Sequence, residues 1–232
     1  MTTLILATRN AHKVREIAAI LGNRFRLLTL KDFYDAPVVV EDQPTFAKNA
    51  AKKARTLAHW LSHLPNMALR IPGASASVLA DDSGLEVDAL KGAPGVLSAR
   101  FAALDAGKTS GGAQNSADAD NNAKLVRLLQ DIPIEQRTAR FRCVLSLIAV
   151  KPPQPMFAGH LFEGICEGRI ALQPAGQGGF GYDPLFIPHG HEQSYAELGE
   201  DVKNRLSHRA HALEKLRAAL VSLVTGSEFP QV

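Results

Sequence analysis

The 232-residue sequence has only two cysteines, Cys143 and Cys166. That is too few for a disulfide framework, and it fits a reduced, cytoplasmic setting. No apolar run approaches the ~20 residues that a membrane helix needs. The opening Met1–Ala7 has no basic start and only a short apolar stretch, unlike a secretory signal. Charge of either sign is scarce in excess. The 26 Lys and Arg against 23 Asp and Glu leave +3, spread along the chain and too weak to mark a nucleic-acid partner. No internal repeat is present, which excludes solenoids and repeat arrays. What is there is ordinary globular composition, 46% hydrophobic and 21% charged, enough to argue against wholesale disorder.

The apolar run Leu4–Thr8 reads as a strand leading to Asn10, a good helix N-cap. Val14, Ile17, Ala18 and Leu21 follow at helical spacing, and Gly22 closes that helix. A strand feeding a helix predicts an α/β layer arrangement. Phe25–Thr29 and Val38–Val40 read as further strands, and Pro44-Thr45 opens a helix reaching about Leu64. Val78-Leu79-Ala80 reads as a short buried strand that ends at Asp81-Asp82-Ser83-Gly84. A helix carries Leu125, Leu128 and Leu129. Arg140–Val150 is the clearest strand, stopped by Pro152-Pro153, and Met156–Ala171 resembles a pair of strands. The last helix starts at Ser207 and presents Leu213, Leu216, Leu220 and Val224 on one face. Residues 62–77 and 105–121 read as polar loops, and the tail after Gly226 as frayed.

Two motifs are false leads. Gly176–Gly181 satisfies G-x-G-x-x-G, but the dinucleotide fingerprint needs a helix next, and Tyr182-Asp183-Pro184 blocks one. Gly107-Lys108-Thr109 resembles the end of a P-loop, but Ala102 stands where its leading glycine belongs. His59/His63 and His208/His211 have helical spacing that could hold zinc, without a third ligand at a recognisable distance.

Other features point to an anionic ligand. Thr8, Asn10 and Lys13 cluster where a strand enters a helix, which presents free backbone N–H groups and a positive dipole end. The alternative is a simple helix cap. At about 100° per residue, Lys53 points almost the same way as Phe46, towards the protein body. It either snorkels along the core edge or reaches into a cleft. Adjacent strand residues face opposite ways, so only one of Asp81 and Asp82 can enter a given cleft. Ser207-His208-Arg209 puts two potential cations in a helix first turn, where the dipole disfavours them unless something acceptor-rich binds. Phe180, among glycines, either stacks on a flat base or folds into the core.

In sequence order the chain carries Ala7-Thr8-Arg9-Asn10 with Lys13, Thr45-Phe46 with Asn49-Ala50 and Lys53-Ala54, Asp81-Asp82-Ser83-Gly84-Leu85, Gly92–Val96 with Ser98-Ala99-Arg100, Gly178–Pro184, and Ser207-His208-Arg209. Together these resemble the inosine triphosphate pyrophosphatase family, from Ala7 to about Leu220. The resemblance implies an α/β fold, an elongated mixed β-sheet flanked by helices, with two lobes around a deep active-site cleft. Residues 1–225 would form that single domain and 226–232 a flexible tail. It implies hydrolysis of deaminated purine nucleoside triphosphates (ITP, dITP, XTP) to monophosphate and pyrophosphate. The alternatives are a non-catalytic nucleotide-binding module, or the same chemistry on another modified nucleotide.

By position, the resemblance implies that Thr8, Asn10, Lys13 and Lys53 hold the triphosphate, with Arg9, Ala11 and His12 in the same substrate-binding segment. Glu41 and Asp82 would hold Mg²⁺, with Asp82 also the general base and Ser83 touching substrate beside it. Phe180 would stack on the base, while Gly181, Tyr182, Asp183, Lys203, His208 and Arg209 line the base and sugar pocket. A homodimer is implied, with no nucleic-acid or membrane partner. Arg9, Gln43 and Lys48 depart from the family pattern around the phosphate and metal positions.

Overall fold

The computed structural model describes residues 2–65, 70–71, 76–106, 115–150 and 159–225, without side chains over 221–225. Thr3–Leu6 (β1) is wholly buried, as expected of a strand covered on both faces. It pairs in parallel with Arg26–Thr29 (β2) on one side and Ala76–Val87 (β3) on the other. Thr138–Val150 (β4), His160–Ile170 (β5) and Phe186–Pro188 (β6) add antiparallel, giving the order β2-β1-β3-β4-β5-β6. The sheet is mixed, as the sequence resemblance implies.

Ala11–Leu21 (α1) starts where the Asn10 side chain accepts from the amides of His12 and Lys13 at 2.9 and 3.1 Å. Gly22, with φ +60°, ends it. Thr45 caps Phe46–Ser62 (α2) by accepting from the Lys48 amide. The remaining α-helices are Asp118–Leu128 (α3), Tyr195–Leu198 (α4), Glu200–Leu206 (α5) and His208–Thr225 (α6). Ala54, Leu57 and Leu61 of α2 pack on Ile5, Val78 and Ala80, one face of the sheet. On the other face, Ile17 and Leu21 of α1 and Leu213 and Leu216 of α6 pack on Leu4, Leu6, Leu79 and Leu145. Further along that second face, Leu125 and Leu129 cover Leu85, Val87 and Phe141. The face opposite is a charged ladder: Arg140 pairs with Asp88 and Glu167, and Arg142 with Glu86 and Glu163.

Several expectations need correction. Asp81–Gly84 do not end the strand. β3 continues to Val87 because β4 pairs with it along its whole length, from Ala76↔Val150 to Val87↔Ala139. Val38–Val40 is not a strand: it pairs with no strand of the sheet, and Val38 and Val40 are 79% and 50% exposed. β5 is one strand where a pair was expected, and residues 151–158 lie outside the described residues. α3 begins at Asp118, inside the expected loop. The expected tail, 226–232, also lies outside the described residues.

The feature that creates a cleft is the unequal length of β1 and β3. β1 pairs only with Ala76–Leu79, and its last rung is Ala7 N–H to the Leu79 carbonyl at 2.9 Å. The chain then leaves, so the edge of β3 from Ala80 to Gly84 carries no strand. Side chains from both faces can border the gap there.

One glycine sets how α6 sits over β5. A Cβ on Gly164 would overlap the His208 carbonyl and the Ala212 amide, both backbone atoms that cannot swing aside. Gly164→Ala should therefore destabilise by about 1–3 kcal/mol through overpacking, read as a lower urea midpoint. Exposed Leu172→Ala should stay within about 0.5 kcal/mol. An unchanged midpoint for Gly164→Ala would contradict this packing.

Candidate active site

Asp81 and Asp82 leave β3 on opposite faces, and each meets its own cations. Asp82 Oδ1 accepts from Lys53 Nζ at 3.1 Å, and the same ammonium reaches Glu41 Oε1 at 2.8 Å and the Asp81 carbonyl at 2.7 Å. Asp81 accepts from Lys13 Nζ, from Arg209 Nε at 2.9 Å, from Ser83 Oγ at 3.1 Å and from Cys143 Sγ at 3.2 Å. Burial works against the Asp81 charge, yet Arg209 and Lys13 hold its carboxyl well below the usual range. Asp82 differs. Burial pushes its carboxyl above the ordinary value, with Glu41 adding repulsion, against the pull of Lys53 and Lys13. Glu41, although desolvated, is held low by Lys53. Lys53 is thus a buried cation held behind the carboxylates of Glu41 and Asp82 and does not snorkel along the core edge.

A cleft runs along this edge. Asn10, Lys13, Glu41, Asp82 and Ser83 line one end, and Phe180, Gly181, Tyr182, Asp183 and Lys203 the other; His208 and Arg209 also line it, with Arg209 touching Ser83. Thr8, Arg9, Ala11, His12 and Lys53 are not in that lining. The Thr8 hydroxyl accepts from the Asn10 amide at 3.2 Å, and Lys53 sits beneath the lining carboxylates. Arg9 turns away and donates to the Ala36 carbonyl at 3.0 Å. The ring of His12 lies against Phe180, with centroids 5.0 Å apart and planes at 28°. Lys48 is exposed, while the Gln43 amide donates to Asn49 Oδ1 at 3.0 Å.

At the far end, the Phe180 amide donates to Asp183 Oδ2 at 2.8 Å, and Lys203 Nζ lies 4.3 Å from the Phe180 ring centroid. Lys203 also pairs with Asp183 and, at 2.7 Å, with Glu16 Oε1. Arg209 is 1% exposed, with donors engaged by Asp81, Glu16 and, at 3.0 Å, Ser83 Oγ. His208 stacks flat on Phe141, 4.8 Å between centroids, and its Nδ1 has no partner. Burial, reinforced by the charges of Arg209 and Lys203, holds this imidazole well below its usual pKa, so it is neutral. Tyr182 donates its hydroxyl to the Ser98 carbonyl at 2.9 Å.

Asp82 Oδ2 is buried with no protein partner. An unused carboxylate oxygen beside Glu41 is the kind of donor a hard divalent cation takes. Among the described residues no group of three His, Cys, Asp or Glu is assembled for a metal. Glu41 and Asp82 therefore fit an ion that fills its other positions with phosphate oxygens and water.

The Ham1 family sequence profile matches residues 4–219. The chain belongs to the Ham1 family. It is 46% identical to the dITP/XTP pyrophosphatase of Geobacter sulfurreducens, over 94% of this chain and 96% of that one. It is 43% identical to the dITP/XTP pyrophosphatase of Desulforamulus reducens, over 97% and 98%. A HAM1 protein from Coxiella burnetii superposes with a TM-score of 0.73 at 33% identity, covering 96% of this chain and 100% of that one. The Staphylococcus aureus Ham1 protein gives 0.73 at 30%, covering 95% and 98%.

Sequence reasoning missed Glu16, which bridges Lys203 and Arg209 in this Ham1-family chain. The Arg209 contact spans 193 residues, and no local pattern announces it. It also missed Asp118, which borders the cleft from α3. Arg100 lies in a quoted motif, and its guanidinium donates to the Glu41 carbonyl.

Glu16 sets a pH dependence. Lys203 and Arg209 hold its carboxyl below 4.5 despite burial. The stability it contributes is present above about pH 4.5 and is lost as pH falls through the depressed folded value. Glu16→Gln should be less stable than the parent at pH 7 and should lose less on acidification, measured by urea unfolding at pH 7 and below pH 4.5. Parallel stability–pH curves would contradict the assignment.

Proposed function

We propose that this protein is a dITP/XTP pyrophosphatase. It hydrolyses the deaminated purine nucleoside triphosphates ITP, dITP and XTP to monophosphate and pyrophosphate, and so clears them from the nucleotide pool. The observation that carries this reading is the two-ended cleft. Cations and carboxylates converge at one end, and an aromatic ring lies among polar groups at the other. The printed activity of the Geobacter and Desulforamulus relatives supports it.

In this reading the triphosphate lies over the first turn of α1. The Asn10 side chain fixes that turn, and the helix dipole and amides favour an anion. Lys13 and Lys53 supply counter-charge beside it, and Thr8 holds the backbone that leads in. Arg9, Ala11 and His12 complete the segment, His12 through its contact with Phe180. Glu41 and Asp82 would hold Mg²⁺, which when bound would neutralise and polarise the phosphates. Asp82 orients a water towards the α-phosphorus and accepts its proton. Lys53 keeps the carboxylate in place throughout, and Ser83 touches substrate beside it.

The base stacks on Phe180. Hypoxanthine and xanthine offer an acceptor at O6 where adenine offers an amino donor. A neutral His208 that donates there pairs with the former and confronts the latter. Arg209, locked by Asp81 and Glu16, acts as a fixed positive wall. Gly181, Tyr182, Asp183 and Lys203 bound the base and sugar. We further propose that residues 1–225 form one catalytic unit, acting as a cytoplasmic homodimer.

Incubation with ITP and Mg²⁺ should release IMP and pyrophosphate, and chelation of the metal should stop it. Asp82→Asn should lower turnover by at least about 100-fold while nucleotide still binds. Release of IDP and orthophosphate would contradict the cleavage site, and an unimpaired Asp82→Asn variant would contradict the base assignment.

A further inference from the structure

Phe180 sits in a loop that has little reason of its own to hold one shape. Gly176, Gly178, Gly179 and Gly181 surround it, and three of them have φ of +81°, +73° and +63° (Gly176, Gly179 and Gly181). Glycine loses more backbone freedom on ordering than any other residue, so such a loop needs external ties. At Gly181 packing supplies none: nothing lies within 4 Å of where a Cβ would stand. Hydrogen bonds supply them. The Gly181 amide donates to Asp118 Oδ2 at 2.7 Å, and its carbonyl accepts from Asn122 Nδ2 at 2.9 Å. Asp118 and Asn122 stand one turn apart on α3, so a single helix face grips both peptide groups of this residue.

We infer that Asp118 and Asn122 form a backbone clasp that presets Phe180 for the nucleobase, making them positioning residues for substrate binding. Asn122 is only 7% exposed, its amide turned to the loop and not to water. Asp118 lies in the first turn of α3, where the dipole favours a carboxylate. Its side chain borders the cleft beside Phe180. A loosened loop would have to be ordered when the base binds, which weakens affinity and leaves the chemical step alone. This inference rests on the reading of Phe180 as the base platform.

The test is a double-mutant cycle on ITP hydrolysis, followed by pyrophosphate release. Asp118→Ala should raise KM about tenfold, the size of one charge-assisted hydrogen bond, with kcat within about twofold. Asp118→Asn keeps an acceptor oxygen and should restore KM to within about twofold. In a Phe180→Ala background, Asp118→Ala should add nothing further. Asn122→Asp, which turns a carboxylate towards the Gly181 carbonyl, should raise KM like Asp118→Ala. Equal KM effects of Asp118→Ala in both backgrounds would overturn the clasp, as would a loss confined to kcat or no effect at all. If Phe180→Ala itself leaves KM unchanged, the base-platform reading fails and the clasp with it. If Phe180→Ala raises KM and the two substitutions act independently, only the clasp fails.

Discussion

Two adjacent buried carboxylates in one strand are the constraint on which the rest of this structure depends. Asp81 and Asp82 are 2% and 5% exposed, and a buried carboxylate is tolerable only when paired and hydrogen-bonded. Because strand side chains alternate, the two needs must be met on opposite faces of the sheet. α2 meets one with Lys53; α1 and α6 meet the other with Lys13 and Arg209. One dipeptide thereby fixes three helices against β3. Removing Lys53 would leave Asp82 an uncompensated buried charge, typically a loss of about 3–5 kcal/mol. A buried ion network of this kind gains little net stability over an apolar core of the same shape. Its value lies in position, because it sets cations and a carboxylate at the uncovered edge of β3.

Charge neutrality also explains how the two ends of the cleft are joined. Glu16 holds Lys203 and Arg209 together; Arg209 reaches Asp81, and Lys203 reaches Asp183 and the face of Phe180. The acidic dipeptide at one end is therefore linked, through continuous ion pairs, to the aromatic platform at the other. Among the carboxylates of this ion-pair network, Asp82 alone keeps a buried oxygen without a partner. That is where the network stops being structural and can act on a ligand.

Much of this was legible in the sequence because it is local. The Asn10 cap and Gly22 stop bounded α1 correctly, and the angular position of Lys53 put it on the buried side of α2. The alternation rule separated the roles of Asp81 and Asp82. What failed was non-local. Asp81–Gly84 look like a turn in composition, but a long antiparallel partner overrides that preference and carries the strand to Val87. Val38–Val40 has strand composition but pairs with no strand of the sheet. Its neighbourhood is tied instead by cations, with Lys52 on the Val40 carbonyl and Arg100 on that of Glu41. Arg9, placed by its sequence position in the substrate-binding segment, reaches the Ala36 carbonyl of the same stretch. Glu16 and Asp118 gave no signal, since their partners lie far away in the chain.

The most direct test of the account is a crystal structure of the protein with IMP bound. The account predicts the hypoxanthine ring lying on Phe180 within reach of His208, and the phosphate at the start of α1 near Lys13 and Asp82. A nucleotide bound elsewhere, or one with its phosphate at the Phe180 end, would contradict it.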